Sequence, residues 1–347
     1  MTERLELKAY GKINLGLDVV RKREDGYHEV RMIMQTVDLY DRITMERMES
    51  GIRVTANLPY VPDGEGNLAY RAAKLLMEEF GITEGISIEI KKMIPVAAGM
   101  AGGSTDAAAV LVGVNRMFGL GLTKKELMER GVRLGADVPY CILRGTALSE
   151  GIGEILTELP APPPCTLVIA KPPVSVSTKE VYGRLDLKAL RPEDHPDIDG
   201  MAEAIRTGDL AGITSRLGNV LELVTEPAHP EITRIKGLLL ENGADGALMS
   251  GSGPTVFGMF KDRRQAERAC VFLREAEGGA LTRQAYVSGF FNPGPGRRTA
   301  ETQGGRDIGR PGGRAAGRQN SRDIGRPGHR IAGTQPEKKG GGRDASI

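Results

Sequence analysis

A glycine-rich segment between a predicted strand and a predicted helix carries the most informative chemistry in the sequence. The segment from Pro95 to Ala109 is PVAAGMAGGSTDAAA, with Gly99, Gly102 and Gly103 just before a run of small residues. Glycine lets backbone N–H groups approach a ligand closely, and the free N–H groups at the N-terminus of a helix attract anions. The pattern therefore predicts a phosphate-binding loop made of Pro95, Val96, Ala97, Ala98, Gly99, Met100, Ala101, Gly102, Gly103, Ser104 and Thr105.

The residues around these glycines exclude two common nucleotide-binding motifs. No lysine follows the glycines, so the segment is not a Walker A loop. The stretch from Gly99 to Gly102 also lacks the spacing of the dinucleotide fingerprint. An alternative stays open at this point, namely that the glycines only let the alanine-rich helix pack tightly.

Two polar pairs near the N-terminus are candidates for a second part of the site. Lys12 and Asn14 follow Gly11 at the end of a predicted strand, and Tyr27 and His28 follow an Asp-Gly turn. In isolation, a solvated lysine and a surface tyrosine are the commoner interpretations.

Two further motifs lie in predicted turns. Asp137 stands in the sequence GADVPY over 135–140, in a loop after a predicted helix. Taken alone, a helix-ending turn in which its carboxylate caps a backbone N–H group is at least as good an interpretation as a functional role. The sequence SGSGPT over 250–255 separates two predicted strands. It is either a tight connection or a backbone wall that closes over a phosphate.

The elements that must position these motifs mix strands and helices without strict alternation. Periodicity predicts strands over 3–10, 14–21, 30–39, 42–48, 85–94, 166–170, 247–249, 255–260 and 284–290. It predicts helices over 67–80, 104–118, 123–134, 177–186, 199–206, 208–222, 230–241 and 263–276, the first capped by Asn67. This arrangement favours an α+β fold in two lobes, and the proline-rich run APPPC marks a boundary between domains over 1–160 and 161–296.

Length and composition restrict the class of protein. The 347 residues suit two domains, and 40% hydrophobic with 27% charged residues is typical of a soluble globular protein. Three cysteines exclude a disulfide framework, and four histidines disfavour a histidine-built metal site. No apolar run is long enough for a membrane span, and no secretory signal is present, so we expect a cytoplasmic protein.

The C-terminal segment 297–347 differs from the rest of the chain. It contains 12 basic and 5 acidic residues and an imperfect repeat of RDIGRPGGRAAG, whereas the remaining residues include 35 basic and 40 acidic ones. Its Gly and Pro content and lack of aromatic residues predict a disordered basic tail. The tail is either an arm for RNA or a solvated extension, and the missing aromatic residues favour the extension.

Taken in order along the chain, these motifs resemble those of the GHMP kinase superfamily. The motifs are KINLGLDV at Lys12, DGYH at Asp25, the glycine-rich loop, GADVPY and SGSGPT, and the resemblance spans about residues 5–290. Within the superfamily, the first two motifs resemble those of the kinases that act on a cytidine diphosphate alcohol in the non-mevalonate isoprenoid pathway. The resemblance implies a two-lobed fold with the active site in the cleft between the lobes. It further implies ATP and Mg²⁺ as cofactors and transfer of phosphate to the 2-hydroxyl of the methylerythritol moiety.

The resemblance also implies roles for individual residues. Asp137 would be the general base and Lys12 the catalytic lysine, while the loop would hold the ATP phosphates. The sequence does not give the Mg²⁺ ligands, and Ser104 is its best single candidate for a metal contact. Asn67 and Lys92 would lie near the nucleotide. Ala97, Ala98 and Ala101 stand where some members have glycine. Alanine has only a methyl group, so the loop could still function if these φ angles are negative. The substrate would be bound by Asn14, Tyr27, His28, Thr178 and Tyr182.

Two alternatives remain at this stage. One is another kinase of the superfamily, acting on mevalonate or homoserine, although neither of these has a base for Tyr27 to stack on. The other is a nucleic-acid-binding protein acting through the tail, although the acidic balance of residues 1–296 disfavours a nucleic-acid groove in the body. We expect a small-molecule substrate, no membrane association, and a monomer or weak homodimer.

Overall fold

Residues 4–293 are the part of the chain that this computed structural model describes. The predicted basic tail over 297–347 lies outside the described residues. No helix within residues 4–293 is long and apolar enough to cross a membrane. Helices and strands are mixed along the chain and form two sheets with helices packed on them, which confirms the α+β class.

The larger sheet has seven strands, and its two central strands are the longest elements of the fold. Its strands are β1 (Arg4–Lys22), β2 (His28–Met48), β3 (Ile52–Ala56), β4 (Gly85–Lys91), β5 (Thr146–Glu150), β6 (Ile155–Leu159) and β8 (Gly218–Asn219). Their order is β3-β4-β2-β1-β8, with β5 pairing to β2 and β6 pairing to β5. Because β8 pairs with β1, a short segment from late in the chain closes one edge of a sheet that is built mainly from the first 160 residues.

The sequence predicted β1 and β2 as two shorter strands each, and this prediction was wrong. The two strands pair with each other along nearly their whole length, with register shifts between Tyr10 and Lys12 and between Asn14 and Gly16. Such shifts interrupt the alternation of side chains without ending the pairing, so the pattern suggests a break where the strand continues. These irregularities flank Lys12 and Asn14, where they re-aim side chains.

The smaller sheet has four antiparallel strands. They are β7 (Thr166–Lys171), β9 (Gly246–Met249), β10 (Val256–Phe260) and β11 (Gln284–Gly289), in the order β11-β7-β10-β9. The predicted domain boundary after residue 160 falls in the connection between β6 and β7, and the division into two domains stays a prediction.

Ten α-helices pack on these sheets within the described residues. They are α1 (Leu68–Glu79), α2 (Gly102–Met117), α3 (Lys124–Val132), α4 (Val138–Leu143), α5 (Thr178–Arg184), α6 (Ile198–Thr207), α7 (Leu210–Thr214), α8 (Glu222–Ala228), α9 (Pro230–Glu241) and α10 (Arg263–Glu275). The predicted cap of α1 is confirmed, since the Asn67 side chain accepts a hydrogen bond from the Ala69 N–H group at 2.9 Å. Helix α2 begins where the glycine-rich loop ends, as the sequence pattern predicted.

The predicted helix over 208–222 was wrong. The chain instead forms α7, then the two-residue strand β8 and then α8. Helical spacing of apolar residues is present here, but Gly218 and Asn219 pair with Gly16 and Leu17 of β1. A long-range pairing thus overrides the local periodicity, and it brings Asn219 next to the strand that carries Lys12. The sequence also missed α4, β5 and β6.

A continuous apolar core joins the two sheets. Ile13 of β1 and Ile33 of β2 belong to the same buried cluster as Ile169 of β7, Phe257 of β10 and Met201 of α6. Burial of this apolar surface stabilises the packing of one sheet against the other. The face of β1 that carries Ile13 is therefore fixed, and Lys12 and Asn14 project from the opposite face.

Candidate active site

A cleft of about 960 Å³ brings together most of the residues that the sequence singled out. It is lined by the hairpin between β1 and β2, the glycine-rich loop, the start of α4, α5, and the turn between β9 and β10. The predicted site residues that line it are Lys12, Asn14, Tyr27, His28, Ala97, Ala98, Gly99, Ala101, Gly102, Gly103, Ser104, Asp137, Thr178 and Tyr182.

The glycine-rich loop leads directly into the N-terminus of α2. Gly102 and Gly103 form the first turn of this helix, and Ser104 follows them on the cleft wall. The first N–H groups of a helix have no partner within it, and they lie at its positive end. The loop therefore presents backbone donors to the cleft at the point where an anion would be bound.

Two of the three loop alanines do not have the negative φ angles that would let alanine replace glycine without strain. Ala97 has a φ of 50° and Ala101 a φ of 56°, so both adopt the left-handed conformation, as does Gly99 with a φ of 72°. Alanine in this region costs roughly 1–2 kcal/mol relative to its usual conformations. The surrounding structure maintains this strained loop, and strain of this kind is common at ligand-binding sites.

Buried ion pairs hold both ends of the loop. Asp41 of β2 accepts hydrogen bonds from the N–H groups of Met93 and Ile94 at 2.5 and 2.8 Å, where the loop begins. Lys92 bridges Asp41 at 2.5 Å and Asp106 of α2 at 2.7 Å, where the loop has ended. Removing one member of a buried group like this typically costs about 3–5 kcal/mol, since it leaves the others uncompensated.

The same cluster carries an unusual protonation equilibrium. One carboxylate oxygen of Asp106 is buried without a hydrogen-bond partner, and burial raises the pKa of Asp106 above its ordinary value, against the opposing effect of the Lys92 charge. Burial opposes the charge of Lys92, but its two carboxylate neighbours outweigh this and raise its pKa, so the lysine stays charged. Lys92 is thus committed to Asp41 and Asp106 and does not line the cleft. Asn67, the cap of α1, does not line it either.

The turn between β9 and β10, which we call turn 250–253, packs against the glycine-rich loop. The Ser250 hydroxyl donates to the Gly99 carbonyl at 3.0 Å. An added Cβ at Gly99 would overlap the Ser250 carbonyl oxygen, so only glycine permits this close approach. Gly251, Ser252 and Gly253 line the cleft beside the loop. Turn 250–253 is therefore part of the cleft wall, and its closure over a phosphate stays a prediction.

Lys12 and Asn14 form one buried unit on β1. The Lys12 ammonium group donates to the Asn14 side-chain oxygen at 2.6 Å, and the Asn14 amide contacts the sulfur of Met32 at 3.3 Å. Lys12 is 5% exposed and Asn14 is fully buried. An ammonium group with its stem fixed in this way presents a positive charge in a defined place on the cleft wall.

Asp137 begins the short helix α4 and does not use its side chain to cap it. The interpretation of Asp137 as a capping residue is therefore wrong, and its carboxylate lies on the cleft wall. Burial raises the pKa of the Cys141 thiol, and the charge of Asp137 raises it further, whereas Lys12 lowers it. Asp137 and Lys12 thus have opposite effects on the same buried thiol, and both line the cleft.

The other part of the cleft is aromatic. The rings of His28 and Tyr182 lie 5.3 Å apart with an interplanar angle of 41°, while Tyr27 is 61% exposed. Burial, with a smaller contribution from the positive charge of Lys22, lowers the pKa of His28, so its ring is neutral at pH 7. The Thr178 hydroxyl lies 2.8 Å from that of Ser252, which connects α5 to turn 250–253.

Four residues of the predicted phosphate-binding loop do not line the cleft, namely Pro95, Val96, Met100 and Thr105. Met100 is buried in the core between the sheets. The Thr105 hydroxyl donates to the Tyr10 carbonyl at 2.7 Å, and its N–H group donates to the Ala101 carbonyl. Thr105 therefore has no free donor for a phosphate, contrary to the sequence prediction.

The sequence analysis also missed several residues. Lys22 and Lys179 line the cleft and add positive charge to it. Asp41 and Asp106 hold the two ends of the loop through their ion pairs with Lys92. Lys179 follows Thr178 directly, so the neighbouring motif could have indicated it. No local signal marks Asp41, because its importance depends on where β2 lies relative to the loop.

Two family models of kinases match this chain. The family model "GHMP kinases N terminal domain" matches residues 67–145, and the model "GHMP kinases C terminal" matches residues 201–278. The chain is 54% identical over 292 residues to 4-diphosphocytidyl-2-C-methyl-D-erythritol kinase of Lachnospira eligens, covering 84% of this chain and 100% of the relative. It is 52% identical to the protein of the same name from Geobacillus kaustophilus, over 78% of this chain and 93% of the relative.

Solved structures with similar folds include two kinases. The crystal structure of a 4-(cytidine 5'-diphospho)-2C-methyl-D-erythritol kinase matches with a TM-score of 0.69 and 35% identity, covering 83% of this chain and 100% of that one. A homoserine kinase from Cytophaga hutchinsonii also matches with a TM-score of 0.69, at 20% identity over 84% of this chain and 95% of that one. The second likeness concerns the fold alone.

Proposed function

The chain belongs to the 4-diphosphocytidyl-2-C-methyl-D-erythritol kinase family of the GHMP kinases and is an ATP-dependent small-molecule kinase, and we propose that its acceptor is 4-diphosphocytidyl-2-C-methyl-D-erythritol, phosphorylated on the 2-hydroxyl group. This reaction belongs to the non-mevalonate pathway to isoprenoid precursors. One observation carries the proposal. The glycine-rich loop and the His28–Tyr182 pair line the same cleft, together with Lys12 and Asp137.

Asp137 is the general base in this proposal. Its carboxylate makes no capping hydrogen bond and lies on the cleft wall, so it is free to accept the proton of the attacking hydroxyl group. Lys12, held by Asn14, stabilises the negative charge that develops on the acceptor oxygen. Phosphoryl transfer needs positioning and charge neutralisation more than covalent catalysis, and these two groups supply both.

The glycine-rich loop binds the phosphates of ATP through the backbone N–H groups at the start of α2. Negative charge on these phosphates would be neutralised by the Mg²⁺ that binds with ATP. The Ser104 hydroxyl, in the first turn of α2, is the residue of this loop that would contact the metal. A single protein oxygen suits Mg²⁺, which keeps several water ligands and binds mainly to substrate phosphates.

The aromatic part of the cleft binds the cytosine ring. Tyr27 is exposed and can stack on a base, with Tyr182 on the same cleft wall. A neutral His28 offers one donor and one acceptor nitrogen, which suits hydrogen bonding to the edge of a base. Thr178 lies beside them and is fixed by Ser252.

The acceptor can be identified with a coupled assay of ADP release. The panel consists of the diphosphocytidyl alcohol, its uridine counterpart, mevalonate and homoserine, each tested at saturating ATP and Mg²⁺. We expect turnover with the first and at least tenfold lower kcat/KM with each of the others. Faster turnover with mevalonate or homoserine would overturn the proposed acceptor while leaving the kinase activity intact.

The role of the aromatic residues can be tested separately. Tyr27→Ala should weaken acceptor binding by about 1–3 kcal/mol, whereas Tyr27→Phe should weaken it little because the aromatic face is kept. His28→Ala should reduce the preference for cytidine over uridine without changing the KM for ATP. An unchanged preference in His28→Ala would show that Tyr27 and His28 only complete the hairpin.

A further inference from the structure

Turn 250–253 lies at the junction of several parts of the cleft. Ser250 contacts the glycine-rich loop through the Gly99 carbonyl, and Ser252 contacts α5 through Thr178. An added Cβ at Gly251 would lie 3.4 Å from the Lys12 ammonium nitrogen and 3.1 Å from the Gly99 carbonyl oxygen. Gly251 therefore lies close to both the lysine and the loop, with no space for a side chain that does not contact them.

The position of Gly251 depends on Asn219. The Asn219 amide nitrogen donates to the carbonyl oxygens of Met249 at 2.9 Å and Gly251 at 2.8 Å, so it fixes the backbone on both sides of Ser250. The Asn219 side-chain oxygen accepts a hydrogen bond from the Leu221 N–H group at 3.0 Å. The amide group thus uses both of its donor hydrogens and its oxygen in a buried setting, with Asn219 only 6% exposed.

Asn219 is itself attached to the strand that carries the catalytic lysine. It lies in β8, which pairs in parallel with Gly16 and Leu17 of β1, and the Val220 N–H group donates to the Leu17 carbonyl. Lys12 and Asn14 lie a few residues earlier on the same strand. One side chain therefore connects β1 with the turn whose Gly251 lies beside the ammonium group of Lys12.

We propose that Asn219 is a positioning residue for phosphoryl transfer, which sets the Gly251 backbone against Lys12 and the glycine-rich loop. The inference deepens the proposed function, because it assigns a further residue to the same site. Asn219 does not line the cleft, so it acts through the backbone that it holds. It should affect the rate of the chemical step more than the binding of the acceptor, whose aromatic contacts lie elsewhere in the cleft.

An isosteric substitution tests this without creating a cavity. Asn219→Asp keeps the shape of the side chain, but it replaces the two donors by a carboxylate oxygen that faces two carbonyl oxygens. The turn must then move away, and a displacement of about 1 Å in a catalytic site can cost on the order of 10²-fold in rate. We expect kcat to fall by at least about 30-fold, with the acceptor KM within about threefold of the wild-type value.

A stability-matched control separates positioning from general destabilisation. Leu239→Ala removes a fully buried side chain of α9 that does not line the cleft. Its melting temperature should fall at least as far as that of Asn219→Asp, while its kcat stays within about twofold of wild type at temperatures where both variants are folded by circular dichroism. If Asn219→Asp keeps the wild-type kcat under those conditions, Asn219 has only a structural role and the inference is wrong.

A double-mutant cycle with Lys12→Met tests whether Asn219 acts through Lys12, and it can be run with a second Asn219 substitution if Asn219→Asp is unstable. Asn219→Ser, which keeps one hydroxyl donor, provides a milder second substitution. If Asn219 acts through Lys12, either Asn219 substitution should reduce kcat much less in the Lys12→Met background than in wild type. Equal effects in both backgrounds would overturn the assignment. The cycle can be run with whichever acceptor the panel identifies, so its failure is distinguishable from failure of the proposed acceptor.

Discussion

Gly99 is the position in the glycine-rich loop where the structure demands glycine most strictly. Its φ of 72° lies in the left-handed region, and an added Cβ would overlap the Ser250 carbonyl oxygen, with the Gly253 nitrogen 3.1 Å away. The atoms in the way belong to the backbone, so no side chain can rotate to make room. Gly99→Ala must therefore separate the loop from turn 250–253.

The size of the effect follows from this overlap. Before the new methyl group reaches ordinary contact, the two backbones must part by roughly 1 Å or more. A misplacement of this size in an active site can reduce the rate by about 10²-fold. The left-handed conformation itself costs an alanine roughly 1–2 kcal/mol. We therefore expect a drop in kcat/KM for ATP of about two orders of magnitude together with a modest loss of stability.

The assay is ADP release as a function of ATP concentration, combined with thermal unfolding. Gly81→Ala is a matched control, because Gly81 has a φ of 61° but no atom within 4 Å of an added Cβ. This control has the same backbone strain without the overlap, so it should lose a similar amount of stability from strain and keep its activity. If Gly99→Ala retains wild-type kinetics and melts like Gly81→Ala, the contact between the loop and the turn does not position ATP.

Three further predictions concern the base, a buried carboxylate and the tail. Asp137→Asn should reduce kcat by about 10²–10⁴-fold while ATP binding by calorimetry stays near wild type, and a near-native kcat would refute its role as base. Burial raises the pKa of Glu222 above its usual value of 4.5, so the folded state holds a proton that the unfolded state releases as the pH rises from 4.5. As the pH rises from 4.5 to the raised pKa, the free energy of unfolding of wild type should therefore fall relative to that of Glu222→Gln, by at most about 1.4 kcal/mol per pH unit. Urea melts of both proteins between pH 4 and 8 measure this difference, and the absence of such a trend would contradict the prediction. Truncation after Gly296 should leave the melting temperature and kcat unchanged, and any RNA binding that the full chain shows should be lost. A large fall in the melting temperature or in kcat would show that the tail contributes to the folded enzyme.

Local patterns predicted much of the framework. The cap of α1 by Asn67 and the start of α2 after the glycines were predicted correctly, because both depend on residues within a few positions of each other. The helix over 208–222 was predicted wrongly for the complementary reason. Its apolar spacing is helical, but pairing of β8 with β1 decides the conformation there, and that pairing joins residues some 200 positions apart.

The candidate site divides in the same way. The sequence identified the residues of the cleft that belong to recognisable motifs, such as Lys12, Asp137 and the glycines of the loop. It did not identify Asp41, which holds the loop through a buried ion cluster, or Asn219, which holds turn 250–253. Both residues act through contacts between segments that are far apart in the sequence. The residues next to Asp41 in β2, or next to Asn219 in β8, form no pattern that predicts such a contact.

The sequence by itself determined the kind of chemistry available to this protein, because residue types and short spacings fix which donors, charges and aromatic rings can occur together in a loop or turn. The tertiary structure alone decided which of these groups meet and how the loop is held. It placed Ala97 and Ala101 in the left-handed conformation against their local preference, and it turned the Thr105 hydroxyl toward the Tyr10 carbonyl and away from the cleft. The physical reason is that backbone preferences of a few kcal/mol act within single residues, whereas the packing and buried ion pairs that override them are summed over segments far apart in the chain.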